Sequence, residues 1–63
     1  MSLESIRIAY KVNAYKGVEV KFVEKGEVKI GVIVGCAHGS YLLVEADERE
    51  RAVHPTFNIT YLD

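Results

Sequence analysis

The sequence predicts an all-β fold in which five or six short strands close into a small barrel, with one helical turn before the last strand. Three observations lead to this prediction. Short runs of residues alternate apolar and polar side chains, as half-buried strands do. Turns rich in glycine or charge separate these runs at intervals too short for helices. Five strands between residues 17 and 63 are too few for two packed sheets, which favours a barrel.

The first segment, residues 1–16, is predicted to be an N-terminal strand or arm. Residues 6–12 alternate with a period of two and are rich in Ile, Val and Tyr, which favours a strand. A helix is the alternative, with Ser2 as its cap and Gly17 just past its end. In that case one helix face carries the apolar residues Leu3, Ile6, Tyr10 and Ala14.

The middle of the chain predicts a hairpin. The run from Val18 to Val23 alternates as a half-buried strand does. The turn Glu24–Gly26 suits a three-residue hairpin connection, a type I turn closed by a left-handed glycine. In the strand that follows, Gly31 marks a bulge or a sharp bend, which a small barrel needs in order to close.

The last third of the chain predicts a second hairpin and a closing strand. Residues 41–46 form one strand, Asp47 opens a tight turn, and residues 49–54 return. Pro55 ends that strand because proline cannot donate a ladder hydrogen bond. Residues 55–57 then supply one helical turn before the final strand, residues 59–62.

From Gly17 to Leu62 this pattern resembles the SH3-like small barrel. The hairpin at 24–26, the bent strand 31–35 and the closing segment 53–57 carry the resemblance, without the motif of any one family. The chain lacks the tryptophan of peptide-binding SH3 domains, an assembled aromatic cage for methylated lysine, and the Gln and Tyr of plasmid-borne SH3-like dihydrofolate reductases. It is also less basic than integrase-type DNA-binding barrels. The fold alone therefore does not select a function.

Composition bounds the class of protein. The chain has 63 residues, is 49% hydrophobic and 27% charged, and carries a net charge of −1, which fits one folded domain over residues 1–63. Cys36 is the only cysteine, which excludes a disulfide within the monomer and suits a reducing, cytoplasmic location. No apolar run is long enough for a membrane span or a signal peptide. Because so small a domain buries only about 60% of its surface, self-association is the expected stabiliser.

The sequence gives little support for a catalytic site or a metal site. Cys36 and His38 lie two residues apart, but no third residue or oxyanion hole can be identified for a nucleophilic pair. With His54 they would give three zinc ligands at most, without paired spacing. We therefore expect no enzyme activity, no cofactor and no metal. His54 is expected to cap the barrel, and the charged run 45–51 to form ion pairs on a solvated hairpin.

Nucleic-acid binding by an SH3-like barrel is the alternative function. Basic residues interleaved with Tyr10 and Tyr15 are what a single-strand binding platform uses. The candidate residues are Lys11, Lys16, Lys21, Lys25 and Lys29. Glu19, Glu24 and Glu27 lie among them and cancel much of their field, and the chain has no global basic excess.

The favoured function is a non-enzymatic protein–protein interaction or oligomerising module. The predicted core takes one face of each strand: Val20, Phe22, Val28, Ile30, Val32, Leu42 and Val44. Four apolar residues are then left facing outward as a partner-binding surface: Val23, Ile33, Tyr41 and Leu43. Such a patch marks a contact with another protein or with a second copy, unless the N-terminal segment covers it. Free-standing barrels of this size are typical of accessory proteins that phages and mobile elements encode.

Overall fold

A computed structural model describes residues 2–62 of the chain. A short helix precedes five strands: α1 (Leu3–Tyr10), β1 (Glu19–Glu24), β2 (Glu27–Ala37), β3 (Tyr41–Ala46), β4 (Arg49–Val53) and β5 (Ile59–Tyr61). The strands form one antiparallel sheet in the order β4-β3-β2-β1-β5. The predicted all-β character is confirmed, in the form of an open five-stranded sheet with one helix.

The favoured strand in the N-terminal segment is wrong for residues 3–10, which are helical. Ser2 is the cap, as the helical alternative requires, and its Oγ accepts a hydrogen bond from the Ser5 N–H at 3.2 Å. The helix ends at Lys11, in the left-handed region at φ 56°, and not near Gly17. Burial of Ile6 on one helix face outweighs the strand preference of the individual residues.

The turn between β1 and β2 has two residues, so the three-residue connection is wrong. Lys25 and Gly26 both have positive φ, 50° and 80°, and Glu24 is paired with Glu27. A three-residue turn would have moved the pairing by one residue. Because the side-chain period is two, that slip reverses the face of every residue in β2.

The register therefore corrects the predicted core in β2. Val28 and Ile30, predicted to be inward, are exposed, and Val32 is half-buried. Ile33, predicted to be outward, is 0% exposed. It contacts the core because residues 31 and 33 share the face of Val20, the partner of Gly31 in β1.

Gly31 allows β2 and β3 to approach each other closely, because it has no side chain. A Cβ at this position would lie 2.6 Å from Val44 Cγ1 and 2.7 Å from the Glu45 carbonyl oxygen. The irregularity predicted there lies further along β2, between Ile33 and Gly35, where the register with β3 shifts. The first part of β2 pairs with β1 and the last part with β3.

The segment before β5 is a series of bends over residues 55–58 and contains no helical turn, contrary to the prediction. Pro55 is buried, and its carbonyl oxygen accepts a hydrogen bond from the Tyr61 hydroxyl at 2.8 Å. Burial raises the pKa of Tyr61 to about 12. The chain reaches β5 through Asn58, whose φ is 54°.

One face of the sheet, which we call the inner face, carries the core. The buried apolar residues are Ile6, Ala14, Val18, Val20, Phe22, Ile33, Leu42, Val44 and Ala46. The predicted alternation in β1 and β3 is confirmed, since Leu42 and Val44 are buried between exposed Tyr41 and Glu45. Within residues 2–62, α1 is too short to cross a membrane.

Candidate functional site

A groove lies between the ends of β1 and β4, and we call it the seam groove. β4 and β5 are the edges, since each pairs with one neighbour only. The groove has a volume of about 260 Å³. Its lining comes from the ends of β1 and β4, the start of β3 and the segment before β5: Phe22, Val23, Glu24, Tyr41, Ala52, Val53, His54, Phe57 and Asn58. Sites for drug-sized ligands begin at about 300 Å³, so the seam groove suits a single side chain better than a cofactor.

His54 organises one end of the seam groove. Its Nδ1 accepts a hydrogen bond from the Thr56 N–H at 3.0 Å, which places the proton of the neutral ring on Nε2. The ring lies edge-on to Tyr10 at 5.7 Å and to Tyr41 at 5.6 Å between centroids. These contacts connect the end of α1, the start of β3 and the segment after β4. His54 is half-buried and holds these elements together, and its predicted role as the cap of a barrel stays a prediction.

An ion pair ties β4 to β1 beside the seam groove. Arg51 Nη1 lies 3.0 Å from Glu24 Oε1, and the guanidinium lies 5.9 Å from the Phe22 ring. The Arg51 side chain is 13% exposed and that of Glu24 is 35% exposed. This hydrogen-bonded pair joins β4 to β1, two strands that are not neighbours in the sheet, across the inner face.

The charged run 45–51 pairs differently from the prediction. Its ion pairs reach the first hairpin: Arg51 binds Glu24, and Asp47 binds Lys29 at 2.8 Å. The Lys29 ammonium lowers the pKa of Asp47, and Asp47 in turn raises the pKa of Lys29. Within the second hairpin, Glu45 lies directly opposite Glu50, and both are exposed. Like charges in this arrangement repel each other.

Two of the four predicted partner-binding residues line the seam groove. Val23 is 45% exposed and Tyr41 is 40% exposed. Ile33 cannot contact a partner because it is fully buried, so its assignment is wrong. Leu43 is half-buried and faces away from the core, opposite Ala52. The groove residue Phe57, 68% exposed, was not predicted.

A second apolar surface, which we call the hairpin face, lies on the outside of β1 and β2. It consists of Val23, Val28 and Ile30, which are 45%, 63% and 58% exposed. Val23 and Val28 are direct partners in the ladder. The sequence signal for this face is the dipeptide Lys25-Gly26, which suits a two-residue turn and so sets the register.

The five predicted nucleic-acid-binding lysines do not share one face. Lys21 alternates with the buried Val20 and Phe22 and therefore faces outward. Lys29 is the partner of Phe22 and lies on the opposite side, bound to Asp47. The other three are exposed and lie in connecting segments: Lys11, Lys16 and Lys25. Nucleic-acid binding stays a prediction that this arrangement does not favour.

The residues weighed for catalysis and metal binding are dispersed. Cys36 is half-buried in β2 and packs against the core, and His38 is exposed in the turn that follows. His54 belongs to the seam groove. Across residues 2–62, no group of three or more His, Cys, Asp or Glu side chains could hold a metal ion.

Comparison with known proteins adds no relative: no family model, no curated protein and no solved structure matches the chain.

Proposed function

We propose that this protein is a non-enzymatic protein–protein interaction module that associates with a second copy of itself through the hairpin face. The observation that supports this proposal is the exposure of Val23, Val28 and Ile30 side by side on two paired strands. Burial of such side chains is worth roughly 1.5–3 kcal/mol each when they leave water completely. A contiguous apolar surface of this kind is typical of a protein contact.

A second copy is the occupant that this surface fits best. A two-fold axis through the hairpin face brings its apolar side chains against the same residues of the other copy. Lys21 and Glu19 precede Val23 on the outer side of the same strand, so each copy offers one charge of each sign beside the apolar residues. Association also supplies the burial that a domain of this size lacks.

The test is a dilution series followed by methyl and amide NMR. We expect the resonances of Val23, Val28 and Ile30 to shift with protein concentration, because these residues enter and leave the interface. Ile8 on α1 is the internal control. It is 72% exposed and lies outside the hairpin face, so its methyl resonances should stay constant.

Matched substitutions sharpen the test. Ile30→Lys should abolish the concentration dependence, whereas Ile8→Lys, a change of the same chemistry at another exposed isoleucine, should leave it in place. Resonances of the hairpin face that do not move with concentration would contradict the proposal.

We also propose that the sheet curls into a small, partly open SH3-like barrel, in which β4 and β5 approach each other at one end and the edge of β4 stays unpaired. Three features support this: the strand order β4-β3-β2-β1-β5, the sharing of β2 between two partners, and the Arg51–Glu24 pair between β4 and β1. An experimental structure in which the edges β4 and β5 diverge along their whole length would overturn it.

A further inference from the structure

We propose that the free edge of β4 and the seam groove bind an extended peptide segment of a partner protein, which adds to the sheet as an antiparallel sixth strand. This inference rests on the proposed protein-binding function and names the class of partner. Its site has only Val23 in common with the hairpin face. The peptide would carry an apolar residue followed three positions later by a lysine or arginine.

The first support is the edge itself. β4 pairs with β3 on one side, and no strand within residues 2–62 pairs with its other side. The two-residue turn at Asp47 and Glu48 makes Ala46 and Arg49 a hydrogen-bonded pair. In the alternation that follows, Glu50 and Ala52 direct their backbone N–H and C=O groups to the free side. An edge of this kind is what strand addition uses.

The second support is the seam groove beside that edge. Val53 belongs to the inner face, as the partner of Leu42, and lines the groove together with Tyr41 and Phe57. The residue of an added strand opposite Val53 also lies on this face. An apolar side chain there enters the groove and packs against the aromatic rings. This position supplies the apolar residue of the peptide.

The third support is the unbalanced charge on the outer side of the same strand. Glu50 lies opposite Glu45, and both carboxylates are exposed. A residue of the added strand opposite Glu50 lies on this outer face, next to both. A lysine or arginine relieves the repulsion there, whereas an acidic residue adds to it. Since Val53 and Glu50 are three residues apart, antiparallel pairing puts the apolar residue three positions before the basic one.

The test is fluorescence anisotropy with the full chain and nine-residue labelled peptides. We expect a peptide with leucine at its fourth position and lysine at its seventh to bind in the micromolar range. The reversed sequence and the Lys→Glu peptide should bind at least tenfold more weakly. In the protein, Glu50→Lys should reverse the charge preference, so that the Lys→Glu peptide regains affinity.

N-methylation of the peptide tests the strand addition directly. A methyl group on the nitrogen of the residue opposite Ala52 blocks a ladder hydrogen bond and should cost at least tenfold in affinity. A methyl group one position later, opposite Arg51, points away from β4 and should leave affinity within about twofold, because successive amides alternate in direction.

Two results would overturn this inference. One is an equal loss of affinity in the two N-methylated peptides. The other is that no peptide binds at 1 mM protein. Ile30→Lys separates the two proposals. If this variant still binds the peptide but no longer self-associates, the two functions belong to two surfaces. If the wild-type protein does not self-associate but binds the peptide, only the proposed self-association is wrong.

Discussion

Gly31 shows most directly how one residue fixes the arrangement of this sheet. The space for a side chain is occupied by Val44 and by the Glu45 carbonyl oxygen, and a backbone oxygen cannot move aside without moving β3. The sequence indicates that a glycine in a strand has a purpose there, but does not distinguish a bulge from a close approach. That distinction depends on β3, which is distant in sequence.

Gly31→Ala is expected to destabilise the fold by about 1–3 kcal/mol, the usual cost of overpacking. Gly35→Ala is the matched control. Nothing lies within 4 Å of a Cβ at that position, so stability should stay the same or rise slightly. Urea unfolding of the two variants measures the difference. Equal midpoints for both would show that the close approach at Gly31 is absent.

Tyr61 makes folding sensitive to high pH. Burial raises its pKa to about 12, whereas an unfolded tyrosine titrates near 10. The unfolded state therefore ionises first. The contribution of Tyr61 is complete below about pH 10 and is lost as the pH rises toward 12.

Tyr61→Phe should flatten the decline in stability between about pH 10 and 12. It should also lower stability at neutral pH by about 0.5–1.5 kcal/mol, because the hydrogen bond to the Pro55 carbonyl is lost. Tyr15→Phe, at a tyrosine that is 51% exposed, is the control and should keep the decline. Thermal unfolding across this pH range is the measurement, and an unchanged slope in Tyr61→Phe would contradict the account.

At the scale of elements, the two turns decide which residues face a partner. Each is a two-residue turn with both residues at positive φ, Lys25-Gly26 and Asp47-Glu48. The first reverses the predicted face of β2 and thereby exposes Val28 and Ile30. A turn with glycine in second position suits this geometry, whereas Glu48 occupies the same position at φ 63° under strain.

Glu48→Gly should stabilise the protein by about 0.5–1 kcal/mol. Relief of roughly 1–2 kcal/mol of left-handed strain is partly offset by the greater freedom of glycine in the unfolded chain. Ala52→Gly, within β4, has only the second effect and should destabilise. Denaturant midpoints compare the two variants, and destabilisation by Glu48→Gly would argue against a two-residue turn.

The helix α1 is an integral part of the core. Ile6 is 0% exposed and Ile8, two residues later, is 72% exposed. Ile6→Ala should cost about 2–5 kcal/mol, as for other buried isoleucines, whereas Ile8→Ala should stay within about 0.5 kcal/mol. Calorimetric unfolding temperatures report both. Similar, small shifts for both variants would mean that the segment is a loose arm.

Local sequence patterns predicted some elements of the fold correctly and others incorrectly. Alternation predicted the inner residues of β1 and β3, and proline predicted the end of β4. The helix was predicted only as the alternative because Ile6, Ile8 and Tyr10 favour a strand, whereas the burial of Ile6 stabilises the helix. Val23 and Tyr41 were found for the candidate site, but Ile33 was misplaced and Ile30 missed. Both errors follow from one unrecognised turn, because the length of the turn fixes the register of a hairpin.

At the scale of the whole molecule, the same sheet offers two surfaces with different chemistry. The hairpin face is apolar and suits a copy of itself, while the edge of β4 combines backbone groups, a groove and unbalanced carboxylates. β3 separates β4 from the two strands of the hairpin face in the sheet order, so we expect the free edge of β4 to stay accessible when the hairpin face associates. A dimer of this kind would present two peptide-binding edges and so bind a divalent partner with higher avidity.

Sedimentation velocity over a wide range of protein concentration tests the central claim most directly. We predict a sedimentation coefficient that rises with concentration from the monomer value to that of a dimer in the wild-type protein and in Ile8→Lys. Ile30→Lys should stay at the monomer value throughout. A wild-type chain that sediments as a monomer at every concentration up to about 1 mM would contradict the claim that this protein associates through its hairpin face.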